Sequence, residues 1–520
     1  MGRRKIINPN IHKAVLGMNR AMVFFSTALA LSLHACSIGR SAHEIIRSNK
    51  PKPKPNSTSE SPSTLNRLTN AEYINTLKSA FPKLEVKNLT IDLQEDFPKG
   101  RFSLTNEVSE LHVRKYLSTA ESIAKYIAAN PSKIHCTMTQ ESCYSQVAGS
   151  LWRQELSKDD QKQIADILST PELKTAAQKT EALVYNLLIS PLFLIHHEKL
   201  KVHDSSTNAI AHRLSYKLLA KPASEKLLAM GHEALKEKAI ANLLSEEKTA
   251  ILKKLDKFLL EWLNLHNYEI RLSKDDSSFN SSIKNDLFLS MRKQLLYDFF
   301  DGKTNYKKLL TTQEYYVNSN ISKFFDASAS SSNLILTSTK RQGIFSHPFF
   351  MALSGDSDRV SFITRGVYLL RNAIGISIEA APPGDQEAKE ENADVDEDSI
   401  EGLRAATEQG SCYSCHVSIN PVGLSSLNYD HLGRTIDSPF KESNKLPAAS
   451  SKAFSSFDNL QEILAEDGRN GIIYRHFVSS LFEFYNGYQP SDKQVDTLVG
   501  GFAADNYNFK ELFIQVILAE

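Results

Sequence analysis

The sequence has no excess of charge of either sign: 61 lysines and arginines stand against 60 aspartates and glutamates, which gives a formal net charge of +1. Proteins that bind nucleic acid concentrate positive charge, so this balance predicts no nucleic-acid partner. The chain also contains no serine or cysteine nucleophile motif, no phosphate-binding loop and no zinc-protease helix. The sequence therefore gives no support for a hydrolase or a nucleotide-binding enzyme.

Long apolar segments are absent as well. Residues 21–33 form an apolar run of only 13 residues, which is too short to cross a bilayer as a helix. Several basic residues precede this run, namely Arg3, Arg4, Lys5, Lys13 and Arg20. A basic start followed by a short apolar run is typical of an export signal, and we expect residues 1–35 to be one.

The signal sequence ends at Cys36. The residues LHAC resemble the lipobox of bacterial lipoproteins, in which the cysteine becomes the acylated first residue, so we expect Cys36 to carry lipid. An ordinary signal peptide with an unrelated cysteine is the alternative, and Met18 is an alternative start to Met1. By resemblance to bacterial sorting rules, Ser37 favours the outer membrane, on its periplasmic side. Residues 36–64 are rich in Lys, Pro and Ser and predict an extended tether.

Cysteine is scarce, with five residues in the whole chain. In an exported protein we expect the neighbouring pair Cys136 and Cys143 to form a disulfide that closes a short loop. The remaining two, Cys412 and Cys415, belong to the only Cys-x-x-Cys-His sequence in the chain.

The motif CYSCH, which ends at His416, is open to three interpretations: a haem attachment site, half of a zinc site, or two ordinary thiols beside a histidine. A zinc site needs four ligands, and the other cysteine pair has the wrong spacing for a second half-site. A thioredoxin-like pair would need a strand leading into a helix. The spacing suits covalent haem c. We expect Cys412 and Cys415 to bind one haem through thioethers and His416 to be the proximal iron ligand.

Apolar residues recur at intervals of three and four along most of the chain, which predicts a mainly α fold. One such stripe comprises Val113, Tyr116, Leu117, Ala120, Ile123, Ala124 and Ile127. Residues 385–402 break the pattern, because acidic residues dominate there after a pair of prolines. We expect a solvated loop in this segment, and a docking surface for a basic redox partner is the alternative.

The stretch SCYSCHVSINPVGLSSLNYDHLGR resembles the haem-binding domain of the planctomycete-type cytochrome c family. That family carries Cys-x-x-Cys-His, then Asp-Pro-x-Gly-Phe, Asn-Phe-Asp and Gly-Arg. The matching positions here are Cys412, Cys415, His416, Asn420, Pro421, Val422, Gly423, Leu424, Asn428, Tyr429, Asp430, Gly433 and Arg434. Further segments are similar to other parts of the same family, namely LNRLTNAEYINTL, LLISPLFL, HRLSYKLL, GIFSHPFFMAL and RGVYLLRNAIG. The pair Cys136 and Cys143 matches two cysteines of the family.

The resemblance implies a multi-domain helical protein with a small cytochrome c-like haem domain near the C-terminus. We expect an N-terminal helical domain over 65–200, a central helical domain over 201–384, the haem domain over 403–450 and a C-terminal helical domain over 451–520. Family members often have a methionine where this chain has Ile419. Pro421 and Gly423 are expected to turn the chain after the haem helix ends.

The second axial iron ligand has three candidates. His347 ranks first because it matches a family histidine, although a histidine that caps a helix is the alternative. Met351 lies four residues further on, and His431 follows the motif. Arg434 is expected to neutralise a haem propionate, with a structural ion pair to Asp430 as the alternative.

These expectations combine into a leading function and two alternatives. The leading one is a membrane-anchored, single-haem c-type cytochrome that transfers electrons to a redox partner protein on the periplasmic side. The first alternative is a haem-dependent oxidoreductase that acts on an exported substrate, since simple carriers need far fewer residues. The second is a surface binding module in which haem has only a structural role.

Overall fold

The structure is a computed structural model that describes residues 66–96, 102, 108–196, 207–231, 233, 236–378, 400–408, 412–437, 442–446, 450–467 and 471–519. The predicted signal sequence, Cys36, the tether and the acidic loop up to residue 399 lie outside these residues. The described residues are mainly helical, which confirms the predicted fold class: they form 21 α-helices and four short strands. None of the helices within these ranges has both the length and the apolar character of a membrane span.

The chain divides into two compact units. The first comprises Met1–Phe97, Thr105–Tyr216 and Ala220–Ala234, and the second comprises Pro98–Leu104, Lys217–Leu219 and Leu235–Glu520. The helices of the first unit, in chain order, are α1 (Asn70–Ala80), α2 (Glu110–Ala129), α3 (Glu141–Trp152), α4 (Lys158–Leu168), α5 (Ala176–Ile189), α6 (Pro191–Leu194), most of α7 (Thr207–Leu219) and α8 (Glu225–Met230).

Four helices of the first unit begin at a reciprocal cap. Thr69, Ser109, Ser157 and Thr175 each accept a hydrogen bond from the backbone N–H of the third helical residue. The side chain of that third residue bonds back to the backbone N–H of the cap. Each cap therefore satisfies two N–H groups that the helix itself leaves without a partner, so these helix starts are determined by local sequence.

Helices α2 and α5 pack along each other in the first unit, and the predicted stripe on α2 is only partly confirmed. Its later residues are buried, namely Tyr116, Ala120, Ile123, Ala124 and Ile127. Val113 and Leu117, however, are 36% and 39% exposed. The buried face includes His112 and Thr119 instead. Thr119 donates to Asp92 O, and Nδ1 of His112 contacts Ser109 Oγ.

The two cysteines of the first unit are neighbours in space. Cys136 precedes α3 and Cys143 lies in its first turn. Their Sγ atoms are 2.05 Å apart, the distance of a disulfide bond. That this pair is oxidised in the cell stays a prediction.

The second unit contains the remaining helices and all four strands. Its helices are α9 (Glu237–Glu246), α10 (Lys248–Trp262), α11 (Tyr268–Arg271), α12 (Ser281–Arg292), α13 (Tyr306–Thr311), α14 (Pro348–Leu353), α15 (Phe362–Leu369), α16 (Ile400–Thr407), α17 (Tyr413–Ser425), α18 (Phe457–Glu466), α19 (Ile472–Asn486), α20 (Asp492–Ala504) and α21 (Phe509–Leu518). Helices α12 and α15 continue into π-helical turns over Lys293–Phe299 and Leu370–Ile374. Two antiparallel pairs of strands are present, β1 (Glu314–Val317) with β2 (Ile335–Ser338), and β3 (Asn444–Leu446) with β4 (Ser450–Phe454).

Aromatic side chains form the core of the second unit. Trp262, Phe299, Tyr306 and Phe477 are fully buried. The Phe477 ring centroid lies 4.9 Å from that of Trp262 and 4.7 Å from that of Tyr306. Aromatic rings bury large apolar areas and gain further energy from their relative orientation. This cluster ties α10, α13 and α19 to the turn that follows α12.

Helices α15 and α17 cross at two glycines. A Cβ atom at Gly423 would lie 2.1 Å from Phe362 O, and one at Gly366 would lie 2.5 Å from Ile419 O. The expectation that Pro421 and Gly423 turn the chain after the helix is therefore wrong, because both lie inside α17. Gly423 permits backbone contact between the helices, and α17 continues to Ser425.

Replacing Gly423 by alanine tests this crossing. We expect Gly423→Ala to lower the free energy of unfolding by about 1–3 kcal/mol or more, because the added methyl group would overlap a backbone oxygen. Gly500→Ala is the matched control, since a Cβ atom at Gly500 in α20 would meet nothing within 4 Å. It is expected to leave stability unchanged or to raise it by up to about 1 kcal/mol. The measurement is the urea-unfolding midpoint, and equal midpoints for the two variants would contradict the interpretation.

Candidate functional site

The Cys-x-x-Cys-His motif lies at the start of α17. Cys412 precedes the first helical residue, and its carbonyl oxygen accepts hydrogen bonds from the backbone N–H groups of Cys415 and His416, at 3.2 and 3.0 Å. Residues three and four apart share one face of a helix. The structure thus places both thiols and the imidazole on the same side of one turn, where all three are partly exposed.

Hydrogen bonds determine the tautomer of His416. Its Nδ1 lies 2.9 Å from Asn420 Oδ1. The Thr407 hydroxyl donates to Arg404 O at 3.5 Å and accepts the amide N–H of Asn420 at 2.9 Å, so the amide oxygen is the atom that faces the histidine. An oxygen there requires Nδ1 to carry the proton. Nε2 of His416 is then left with its lone pair, which is the form in which a histidine binds a metal ion.

These residues fit the haem that the motif predicts. Neither Cys412 nor Cys415 is in a disulfide, so both sulfurs are available for thioether bonds. His416 Nε2 supplies the nitrogen donor for iron. Asn420 stands where the planctomycete-type cytochrome c family has the aspartate of Asp-Pro-x-Gly-Phe. The sequence did not predict its hydrogen bond to His416.

His347, the first candidate for the second axial ligand, caps a helix. Its Nδ1 accepts a hydrogen bond from the backbone N–H of Phe349 at 3.1 Å, at the start of α14. Nε2 lies 2.9 Å from Ser290 Oγ, and that hydroxyl donates to Tyr316 O at 2.6 Å. Burial holds the pKa of His347 well below its usual value, and the charge of Arg341 acts in the same direction. To bind iron, His347 would have to give up one of these hydrogen bonds; its ligand role stays a prediction.

The other two candidates for the second axial ligand, Met351 and His431, differ in exposure. Met351 is fully buried in α14, and its carbonyl oxygen accepts a hydrogen bond from Arg365. His431 lies in the loop after α17 with its side chain partly exposed, and its backbone packs against Gly355. Within the described residues, no hydrogen bond engages the His431 ring.

Arg434 forms an ion pair with Asp430, which is one of the two roles expected for it. Its Nε lies 2.6 Å from Asp430 Oδ2. The other carboxylate oxygen of Asp430 accepts the backbone N–H groups of Leu432 and Arg434 at 2.9 and 2.8 Å. Asp430 therefore closes the turn after α17, while the Arg434 side chain remains 39% exposed. Contact with a propionate stays a prediction.

A buried arginine holds the loop that follows α17. Arg365, in α15, donates to the carbonyl oxygens of Ser426, Tyr429, Asp430 and Met351, all at 2.9 Å. Burial lowers its pKa to about 10, so it stays charged at neutral pH. Arg365 was not predicted as a site residue. It is the only charge in the apolar run FITRGVYLL, and this is the signal that would have indicated a buried role.

A second buried arginine reaches the same loop. Arg341 donates to Gly433 O at 2.8 Å and to Thr435 Oγ1 at 3.2 Å. Its guanidinium lies 4.2 Å from the ring centroid of Tyr429, a cation–π contact. The Tyr429 hydroxyl in turn donates to Asp458, at the start of α18. These contacts link the loop to α18.

Comparison with protein families agrees with this geometry. Residues 66–129 match the family model PSD3, residues 206–327 match PSD4 and residues 341–438 match PSCyt3. Each is described as a protein of unknown function, as DUF1587, DUF1592 and DUF1588, respectively. These are planctomycete cytochrome c domain families. No curated protein and no solved structure matches the chain.

The segment that matches PSCyt3 contains the Cys-x-x-Cys-His motif, Asn420, Thr407 and both buried arginines. It begins at Arg341, so it includes α14 and α15 as well as α17. The domain boundaries proposed from the sequence, 403–450 among them, stay predictions.

Variants of His347 separate its two roles. We expect His347→Ala to lower the free energy of unfolding, because loss of a helix cap alone costs about 0.5–2 kcal/mol. His347→Asn should recover part of that loss, since asparagine is also a good cap. If His347 only caps the helix, neither variant changes the visible spectrum of the haem protein. A high-spin spectrum in both would instead identify His347 as the iron ligand.

Proposed function

We propose that the protein is an exported, lipid-anchored c-type cytochrome with one covalently bound haem, and that it passes single electrons to a partner protein on the periplasmic side of a bacterial membrane. The observation that carries the proposal is the first turn of α17, where two thiols and a histidine with a free Nε2 lone pair share one face. The match of residues 341–438 to PSCyt3 supports a cytochrome c-like role for this domain.

Each residue of the site has a separate part in this proposal. Cys412 and Cys415 hold the haem through thioethers, and His416 binds iron through Nε2. Asn420 fixes the orientation of the His416 ring. Arg434, partly exposed beside Asp430, is the partner for a propionate. A bound haem supplies a one-electron couple.

Covalent attachment is the direct test. We expect the purified, exported protein to retain haem after treatment with acidified solvent, because thioether bonds survive this treatment. The double variant Cys412→Ala, Cys415→Ala is expected to lose haem, while the matched variant Ser414→Ala, in the same turn, should keep it. The measurements are haem staining of the denatured chain and its intact mass. Absence of covalent haem from the unmodified protein would refute the proposal.

Spectra of the same purified protein distinguish an electron carrier from a haem-dependent enzyme. A carrier with both axial positions filled has low-spin iron, and its reduced form does not bind carbon monoxide. We expect this result. Binding of carbon monoxide would favour the haem-dependent oxidoreductase instead. If the iron is low-spin but exchanges no electrons with added redox proteins, the binding module with structural haem would be favoured.

The lipid anchor is tested at Cys36. We expect Cys36→Ser to remove incorporation of labelled fatty acid and to release the protein from the membrane fraction, because serine has no thiol to acylate. Ser41→Ala, in the same segment, is the control and should leave both properties unchanged. Membrane association that survives in Cys36→Ser without lipid would argue against this anchor.

A further inference from the structure

Asn420 connects His416 to a second helix. It lies inside α17, one turn after His416, and is 3% exposed. Its Oδ1 faces His416 Nδ1 at 2.9 Å, and its Nδ2 faces Thr407 Oγ1 at 2.9 Å. Thr407 is the last residue of α16 and is itself buried. The side chain that contacts the proposed iron ligand is thus held by two hydrogen bonds in a site with little water.

The two contacts leave one arrangement of the amide. With the amide reversed, Nδ2 would face His416 and Oδ1 would face Thr407. The Thr407 hydroxyl, however, donates to Arg404 O at 3.5 Å, so its oxygen is left to accept the amide N–H. In the reversed arrangement the amide N–H would instead need His416 Nδ1 as its acceptor, which moves the ring proton to Nε2, the atom needed for iron. Thr407 therefore acts through Asn420 to keep the Nε2 lone pair of His416 free.

The acceptor for His416 Nδ1–H is a neutral amide. A hydrogen bond from Nδ1–H increases the electron donation of the ring to a metal at Nε2. The effect grows with the strength of the acceptor, and hydrogen bonds to an ionised group are about twice as strong as neutral ones. A carboxylate at this position would therefore stabilise ferric over ferrous iron more than the amide does.

We propose that Asn420 is a positioning residue that sets the reduction potential of the haem iron through His416, and holds it higher than a carboxylate there would. The proposal rests on the proposed function, because it requires iron at His416 Nε2. It assigns to Thr407 the role of orienting the amide. Hydrogen bonding to an axial ligand is one of the means by which a protein adjusts such a potential.

The test is the midpoint potential of the full-length haem protein. Asn420→Asp keeps the shape of the side chain, and the Thr407 hydroxyl can rotate to donate to it. We expect the relative stability of ferric iron to rise at least tenfold, which lowers the midpoint by about 59 mV for one electron. Asn420→Leu removes the acceptor and should raise the midpoint. Measurements at pH about 8 keep the new aspartate above its ordinary pKa of about 3.9.

Thr407 provides the matched pair of controls. Thr407→Ser keeps the hydroxyl and should keep the wild-type midpoint. Thr407→Val removes it and should shift the midpoint, because the amide of Asn420 is then free to reverse. Equal midpoints for the wild type, Asn420→Asp and Asn420→Leu would overturn the proposal, even with the haem bound through Cys412 and Cys415.

A second measurement does not need haem. In the full chain made without haem attachment, nitrogen NMR of the histidine rings should show His416 protonated at Nδ1. Asn420→Leu should lose this preference. Protonation of His416 at Nε2 in the unmodified chain would overturn the inference. If no covalent haem forms at all, the proposed function fails, while this measurement still decides whether Asn420 and Thr407 set the tautomer.

Discussion

The guanidinium of Arg365 donates four hydrogen bonds to backbone carbonyl oxygens while it is completely buried. A buried charge is costly unless hydrogen bonds offset its loss of water, and here the two terminal nitrogens of the guanidinium make those bonds. A carbonyl left buried without a donor costs about 1–3 kcal/mol, and Tyr429 O has Arg365 as its donor. Arg365 thereby fixes the path of residues 426–430 relative to α14 and α15. Arg365 holds the start of the loop after α17, and Asp430 and Arg341 hold the rest of it.

The close contact of α15 with α17 makes these hydrogen bonds geometrically available. Gly366 and Gly423 let the two backbones approach, so that Arg365, one residue before Gly366, reaches the end of α17. Larger residues at the crossing would separate the helices and remove the guanidinium from its acceptors. The same crossing fixes the position of α17, whose first turn presents Cys412, Cys415 and His416. Helix α17 is therefore held by backbone contacts at Ile419 and Gly423 and by the buried cation just after its last residue, and its first turn carries the proposed haem site.

Two histidines of the second unit illustrate how packing decides between chemical roles. His347 and His416 are both near helix starts, and both use Nδ1 in a hydrogen bond. His347 accepts through Nδ1 and has Nε2 beside Ser290, so neither nitrogen is free. His416 faces an amide oxygen through Nδ1 and keeps the lone pair of Nε2 for a metal. Their opposite tautomers follow from the partner that each ring meets.

The sequence by itself determined the mainly helical fold, the helix starts and the common face of the Cys-x-x-Cys-His motif, because periodicity, capping and spacing act over a few residues along the chain. It also placed the cytochrome c-like segment through the resemblance of its motifs. Only the tertiary structure decided the partners of His416 and His347, the roles of Arg365 and Arg341, and the burial of His112 in place of Val113. These contacts join groups from separate helices, and a local sequence pattern does not predict which of those groups come together. Pro421 and Gly423 were misread for the same reason, since the packing of α15 against α17 stabilises a helix that the local sequence would end.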